Sequence, residues 1–166
     1  MNEEVKYISY EEAISVYAKM IDASDGGFDG VRDEGEIRAA LEFVQNDMYY
    51  PNFSDKLCSL VYKFCSGHYF NDGNKRIALT LGAYFLYKNS YFWQATIFMR
   101  QMESIVYHVA ASNIDKDLLL CIMTCFMNGE DYDEELKIDI ANAMSKGELG
   151  VRGEDYEYFM NLLTSG

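Results

Sequence analysis

Nine consecutive residues, 68–76, combine the groups that a phosphate-transfer site needs. The segment reads His-Tyr-Phe-Asn-Asp-Gly-Asn-Lys-Arg and contains one of the chain's two histidines. An imidazole can take the proton from an attacking hydroxyl, and one carboxylate can hold Mg2+ together with substrate phosphates. A glycine lets the backbone approach an anion, and the two cations can neutralise phosphate oxygens. The segment is therefore a candidate site for phosphoryl or nucleotidyl transfer.

The residues that follow predict how this segment is positioned. Residues 77–86 are apolar on nearly all sides, which is typical of a buried helix at the centre of a bundle. The first N–H groups of such a helix lack intrahelical partners and favour an anion. Taken singly, each polar residue could be an ordinary loop residue, a helix N-cap or a solvated helix start. Their density ahead of a buried helix favours the functional interpretation.

Helical patterns dominate the rest of the chain. Ser9 and Glu12 form a capping box, and Asp33 and Ser54 are candidate starts of a second and a third helix. Residues 91–93, Tyr-Phe-Trp, are predicted to be a short extended segment. Further helices are predicted at about 98–111, 115–127, 132–145 and 154–163.

Composition and charge narrow the class of protein. The 166 residues suit one domain with a substantial core, and the net charge of −13 disfavours nucleic acid and anionic membranes as partners. No apolar run reaches the length of a membrane span, and the N-terminus lacks the pattern of a secretory signal. We therefore predict a cytoplasmic protein whose four cysteines are reduced, with a zinc site or a disulfide as the alternative.

The acidic charge is concentrated at the C-terminal end. Residues 130–166 hold ten acidic and three basic residues. We predict that this segment is a helical extension to a domain formed by residues 1–129. It either faces water, which is usual for a charge run, or packs near the cationic mouth of the site and competes with ATP.

The segment 68–76 closely resembles the signature of the Fic/Doc family, H-x-F-x-[DE]-[GA]-N-[GK]-R. The resemblance extends over about residues 5–127, and Gly30–Asp33 is similar to the death-on-curing (Doc) branch. It implies an all-α Fic fold, a helical bundle with a short β-hairpin-like flap. We place that flap within residues 26–50, where it would hold a target segment by strand-like pairing.

The resemblance also implies an activity and its residues. The protein would be an enzyme that uses ATP and Mg2+ to modify a Ser, Thr or Tyr hydroxyl of a target protein. It would be the toxin of a toxin–antitoxin pair, with an antitoxin as a further partner. In this scheme His68 is the catalytic base and Asp72 binds the metal ion. The residues that would bind the nucleotide phosphates are Gly73, Asn74, Lys75 and Arg76.

Two departures bear on which group is transferred. Family members that transfer AMP usually have Gly at the position of Lys75 and a second Arg at the position of Leu79. The Asn-Lys-Arg form is typical of the Doc branch, in which ATP is thought to bind in the opposite sense. This favours phosphoryl transfer, with protein adenylyltransferase activity (AMPylation) as the alternative. Gly73 stands where the toxin member of that branch has Ala, which keeps the alternative open.

Two other classes compete with a transferase. One is a catalytically silent Fic-fold binding module, against which the intact site residues argue. The other is a metal-dependent hydrolase that uses His68 and Asp72, for which two ligands make a poor metal site.

Overall fold

A computed structural model of the protein describes residues 3–23 and 30–146. Within those ranges the chain forms seven α-helices and no strand, which is the all-α class that the sequence predicts. The helices are α1 (Tyr10–Ala23), α2 (Glu34–Phe43), α3 (Phe53–Ser66), α4 (Asn74–Lys88), α5 (Phe92–Ala110), α6 (Lys116–Asn128) and α7 (Glu134–Ser145).

Helix α4 is the centre of the bundle, as its apolar sequence predicts. It packs against α3 and α5, and against α1 on another side. Seven of its fifteen residues are buried, namely Ile77, Ala78, Leu79, Leu81, Gly82, Phe85 and Leu86. The buried residues begin at Ile77, so the core anchors the helix directly after its partly exposed first turn.

Side-chain caps define the starts of the first helices. Glu12 N–H donates to Ser9 Oγ at 3.1 Å, and Ser9 N–H donates to the Glu12 carboxylate at the same distance, which confirms the capping box. Asp33 caps α2, as predicted. The prediction that Ser54 caps α3 is wrong by two residues. Asn52 holds that position, and its N–H donates to Asp55 at 2.9 Å.

The prediction of an extended segment at 91–93 is also wrong. Helix α5 begins at Phe92, directly after a tight turn in which Ser90 has a φ of 68° and Tyr91 N–H donates to Leu86 O at 2.9 Å. This turn places the Tyr91 ring 4.7 Å from that of Phe53. Tyr91 packs against the core, whereas Phe92 and Trp93 are exposed in the first turn of α5, so the preference of aromatic residues for strands does not decide this segment.

The C-terminal segment is helical where the structure describes it. Helix α7 confirms the pattern predicted for 132–145, and it packs against α6 with Leu136 and Ile140 buried in the common core. The helix predicted at 154–163 lies outside the described residues, and the boundary at residue 130 stays a prediction. None of the helices in the described ranges is long and apolar enough to cross a membrane.

An ion pair ties α1 to the far end of α4. Lys88 Nζ lies 2.6 Å from Glu12 Oε2, and this hydrogen bond lowers the pKa of Glu12 against the opposing effect of burial. A carboxyl whose pKa is lowered by folding stabilises the fold above its ordinary pKa. That contribution is lost as the pH falls through the lowered value.

We therefore expect Glu12→Gln to destabilise the protein in a pH-dependent way. Glutamine can still accept the Ser9 N–H, so the main loss is the ion pair, worth at most about 1 kcal/mol because both groups are partly exposed. Urea unfolding should show this difference at neutral pH and lose it in acid. The exposed Glu11→Gln is the matched control. A difference of the same size at both pH values would contradict the ion pair's role.

Candidate active site

The loop between α3 and α4 carries the predicted site residues, and its backbone is unusual at His68. His68 has a φ of 52°, in the left-handed region that few non-glycine residues adopt, and its side chain is exposed. Gly67, directly before it, keeps a helical φ of −80°. The Tyr69 ring covers Gly67 so closely that a Cβ there would collide with it. This contact leaves no space for a side chain at Gly67, while the left-handed conformation falls on the histidine.

Asn74 closes the loop from its C-terminal end. Its Oδ1 accepts the Phe70 N–H at 3.1 Å, and its Nδ2 donates to Phe70 O at 3.0 Å. The sequence predicts that this amide donates to a phosphate. Instead, in the described structure, both of its polar atoms bind the loop backbone. The side chain thus shapes the loop. The group of Asn74 that could contact an anion is its backbone N–H, in the first turn of α4.

Asp72 and Gly73 form the turn into α4. Gly73 is the N-cap of α4, with a left-handed φ of 78°, and its N–H donates to Asp72 Oδ1 at 2.7 Å. The other carboxylate oxygen, Oδ2, lies 3.7 Å from Arg76 Nη2, and both side chains are about half exposed. The acidic group and the cation therefore meet at the N-terminus of α4, where the helix dipole favours an anion.

The inner side of the loop packs against α1. Phe70 is buried, as predicted for a core anchor, and its ring stacks on that of Tyr17 with the centroids 4.0 Å apart. The Tyr17 hydroxyl donates to the backbone carbonyl of Asp72 at 3.1 Å. Met20 and Ile21, one turn further along α1, lie next to Gly73. Helix α1 therefore supports the inner side of the loop.

The outer side of the loop pairs with the segment that leads into α2. Val31 and Phe70 form an isolated antiparallel bridge, in which Arg32 N–H donates to Tyr69 O at 2.8 Å and Asn71 N–H donates to Gly30 O at 3.0 Å. Residues 24–29, where part of the predicted flap falls, lie outside the described residues. In the described part of 26–50, this bridge is the strand-like feature. It joins the flap region directly to the loop.

Lys75 and Arg76 point to different sides of the helix start. Lys75 Nζ lies 5.3 Å from the ring centroid of Tyr107 on α5, a cation–π contact, whereas Arg76 faces Asp72. Burial raises the pKa of the Cys65 thiol to about 11, and the nearby Lys75 charge opposes that rise. Leu79 is only 8% exposed and belongs to the core. A cation at that position would have to leave the core to reach a phosphate.

The donors present suit a magnesium ion held jointly by protein and substrate. Among residues 3–23 and 30–146, no three His, Cys, Asp or Glu side chains are grouped closely enough to hold a metal ion. Asp72 could supply one carboxylate oxygen from its half-exposed side chain. Mg2+ accepts such a site when phosphates and water complete its octahedron.

Comparisons with known proteins identify the family of this chain. Residues 7–86 match the model of the Fic/DOC family. The protein kinase Doc of Escherichia phage P1 is 35% identical over 88 residues, which span 51% of this chain and 69% of that kinase. The chain therefore belongs to the Fic/DOC family. This membership and the similarity to a kinase support a transferase activity of the Fic type.

Sequence reasoning did not find three parts of the site. Tyr17, Tyr107 and the pairing of residues 30–33 with the loop are visible only in the folded chain. Tyr17 shares the buried face of α1 with Ala13 and Ile21, at intervals of four residues, so the pattern marks it as a core position. The sequence signal that could have singled out Tyr17 is its hydroxyl at a core position, because a buried polar group needs a hydrogen-bond partner.

Asn74→Asp should loosen the loop. Aspartate keeps an acceptor for the Phe70 N–H but faces the Phe70 carbonyl with a carboxylate, so we expect a loss of about 2 kcal/mol in unfolding free energy. Hydrogen exchange of a peptide covering residues 68–74 should also become faster. Asn46→Asp is the control, because Asn46 uses its side-chain oxygen to accept the Met48 N–H and aspartate retains that bond. Equal effects of the two changes would contradict the role of the Asn74 side-chain hydrogen bonds in holding the loop.

Proposed function

We propose that this protein is an ATP-dependent transferase that phosphorylates a Ser, Thr or Tyr hydroxyl of a target protein. The observation that carries the proposal is the start of α4. There a base, a carboxylate and two cations surround a helix N-terminus, and the second cation of AMP-transferring relatives is replaced by the buried Leu79. Its similarity to a protein kinase of the same family supports phosphoryl over nucleotidyl transfer.

His68 is the proposed general base. Its side chain is exposed, and among the described residues it has no hydrogen-bond or ion-pair partner, so the ring can be oriented by an incoming hydroxyl. His68 takes the hydroxyl proton while the hydroxyl oxygen forms a bond to the γ-phosphorus of ATP. The bond from that phosphorus to the bridging oxygen breaks, and ADP leaves.

The turn at Asp72 and Gly73 would hold the phosphates. Bound at Asp72, Mg2+ would neutralise the charge of the ATP phosphates. Gly73 turns the chain into α4 through its left-handed φ, and the first N–H groups of α4 would point toward a phosphate bound there. Arg76, opposite Asp72, can turn from that carboxylate to a phosphate oxygen, because the pair is long and half exposed.

Lys75 is the residue that we propose selects the transferred group. Its contact with Tyr107 keeps the ammonium on the α5 side of the helix start, away from the pair formed by Asp72 and Arg76. A triphosphate that spans both positions has one end at Asp72 and the other at Lys75. Leu79 offers no charge to hold the phosphates in the orientation that AMP transfer uses.

The target would reach the site along the flap region. The edge of residues 30–33 that faces the loop is already paired with Tyr69 and Asn71. A target segment would therefore add to the remaining edge of this segment by main-chain pairing. We further propose that this protein is the toxin of a toxin–antitoxin pair and that an antitoxin would restrain it.

AMPylation is the second candidate, because Gly73 stands where the toxin member of the Doc branch has Ala. A silent binding module is the third. It would keep the fold without needing His68 exposed or Asp72 beside a cation.

Labelled ATP separates these functions. We expect the protein, incubated with bacterial lysate and Mg2+, to transfer label from γ-labelled ATP to a protein and to transfer none from α-labelled ATP. His68→Ala should reduce this transfer by about a hundredfold or more, because a general base contributes on that order. Transfer from the α position would mean AMPylation. No transfer from either label would favour the binding module.

Lys75→Gln tests the choice of group. Loss of the ammonium should reduce γ-label transfer by about tenfold or more, the loss expected for one charge-assisted phosphate contact. Tyr107→Leu should give a smaller reduction, because it removes only the ring that positions Lys75. Lys63→Gln is the matched control, since Lys63 also lies over an aromatic ring, that of Phe43, at 4.3 Å. If Lys75→Gln and Lys63→Gln behave alike, Lys75 does not select the group.

A further inference from the structure

Tyr17 holds the active loop at a point that the family signature does not contain. Its side chain is 1% exposed, and its hydroxyl donates to the backbone carbonyl of Asp72 at 3.1 Å. Its ring stacks on Phe70, whose backbone is in turn bound by Asn74. One buried residue of α1 thus contacts the loop at two positions.

The hydroxyl fixes the orientation of one peptide unit. A trans peptide is planar, so its carbonyl and its N–H point in opposite directions. Because the carbonyl of Asp72 is held toward α1, the N–H of Gly73 points outward, where it donates to Asp72 Oδ1 at 2.7 Å. The same peptide therefore sets where the Asp72 carboxylate lies.

The neighbouring α1 side chains, Met20 and Ile21, are apolar and carry no donor that could replace the Tyr17 hydroxyl at the Asp72 carbonyl. Gly73 has a φ of 78°, and glycine populates left- and right-handed conformations about equally, so a flip is inexpensive at this residue. A flipped peptide would turn the Asp72 carbonyl toward the phosphate position and its negative end would repel the anion. It would also remove the N–H that holds the carboxylate.

We infer that Tyr17 is a positioning residue, whose hydroxyl keeps the peptide between Asp72 and Gly73 in the orientation that phosphate and Mg2+ binding require. The inference rests on the proposed function for the roles of Asp72 and Gly73. The contact with α1 is independent of that function. Tyr17 touches neither nucleotide nor target in this scheme and acts through Asp72.

Tyr17→Phe is the sharpest test, because it keeps the stacked ring and removes only the donor. We expect kcat for γ-phosphate transfer to fall about tenfold, the effect of a small displacement at a positioned group, with KM for the target protein unchanged. Binding of Mg2+ with a non-hydrolysable ATP analogue, measured by calorimetry, should weaken by a similar factor. Hydrogen exchange of a peptide covering residues 68–74 should become faster.

Tyr132→Phe is the matched control. Tyr132 is a partly buried tyrosine that packs on the core near α7, and burial raises its pKa to about 12. This variant should leave kcat, analogue binding and loop exchange unchanged. Thermal unfolding and near-ultraviolet circular dichroism of both variants ensure that folded protein is compared.

The outcomes separate the inference from the function on which it rests. If Tyr17→Phe only lowers the melting temperature, with loop exchange and analogue binding as in the unmodified protein, Tyr17 is a core residue and the inference is overturned. If the unmodified protein transfers no label, the proposed function fails. Faster loop exchange with weaker analogue binding in Tyr17→Phe would then still support the positioning role.

Discussion

The active loop depends on two hydrogen bonds between the Asn74 side chain and the backbone of Phe70. The loop contains two left-handed residues, His68 and Gly73, and the first of these is costly for a residue with a Cβ. Such a conformation persists only where several surrounding contacts fix it. Asn74 supplies that constraint from within the signature, and it connects the loop to the central helix of the bundle.

Three neighbours then complete the constraint from outside the signature. Helix α1 supports the loop from below through Tyr17, and the segment 30–33 pairs with it from the flap side. Helix α5 receives the Lys75 side chain on the ring of Tyr107. The ion pair between Glu12 and Lys88 keeps α1 on α4 at the opposite end of the helix. A site made of one short peptide segment thus relies on contacts from most of the chain.

The charge at the start of α4 differs in sign from the net charge of the chain. The chain carries a net charge of −13, yet the start of α4 has a cation on each of two sides, and the helix dipole adds partial positive charge there. A phosphate therefore finds a favourable potential at this one end of the helix within an acidic surface. Asp72 is the carboxylate at that end of the helix. A divalent cation bound there would offset the negative charges of the carboxylate and the phosphates.

The sequence by itself determined the helical class and the central buried helix, and it indicated the candidate site, because hydrophobic period, capping residues and a dense polar segment are local properties. It misplaced the start of α3 and assigned residues 91–93 to an extended segment, since the caps and rings that decide those boundaries act through packing. Only the tertiary structure decided that Asn74 binds the loop backbone and that His68 and not Gly67 adopts the left-handed conformation. The contacts of Tyr17 with the loop and of Tyr107 with Lys75 were likewise decided only there. Those outcomes depend on residues far apart in the chain that meet only when the core forms, and no pattern within the nine-residue segment contains them.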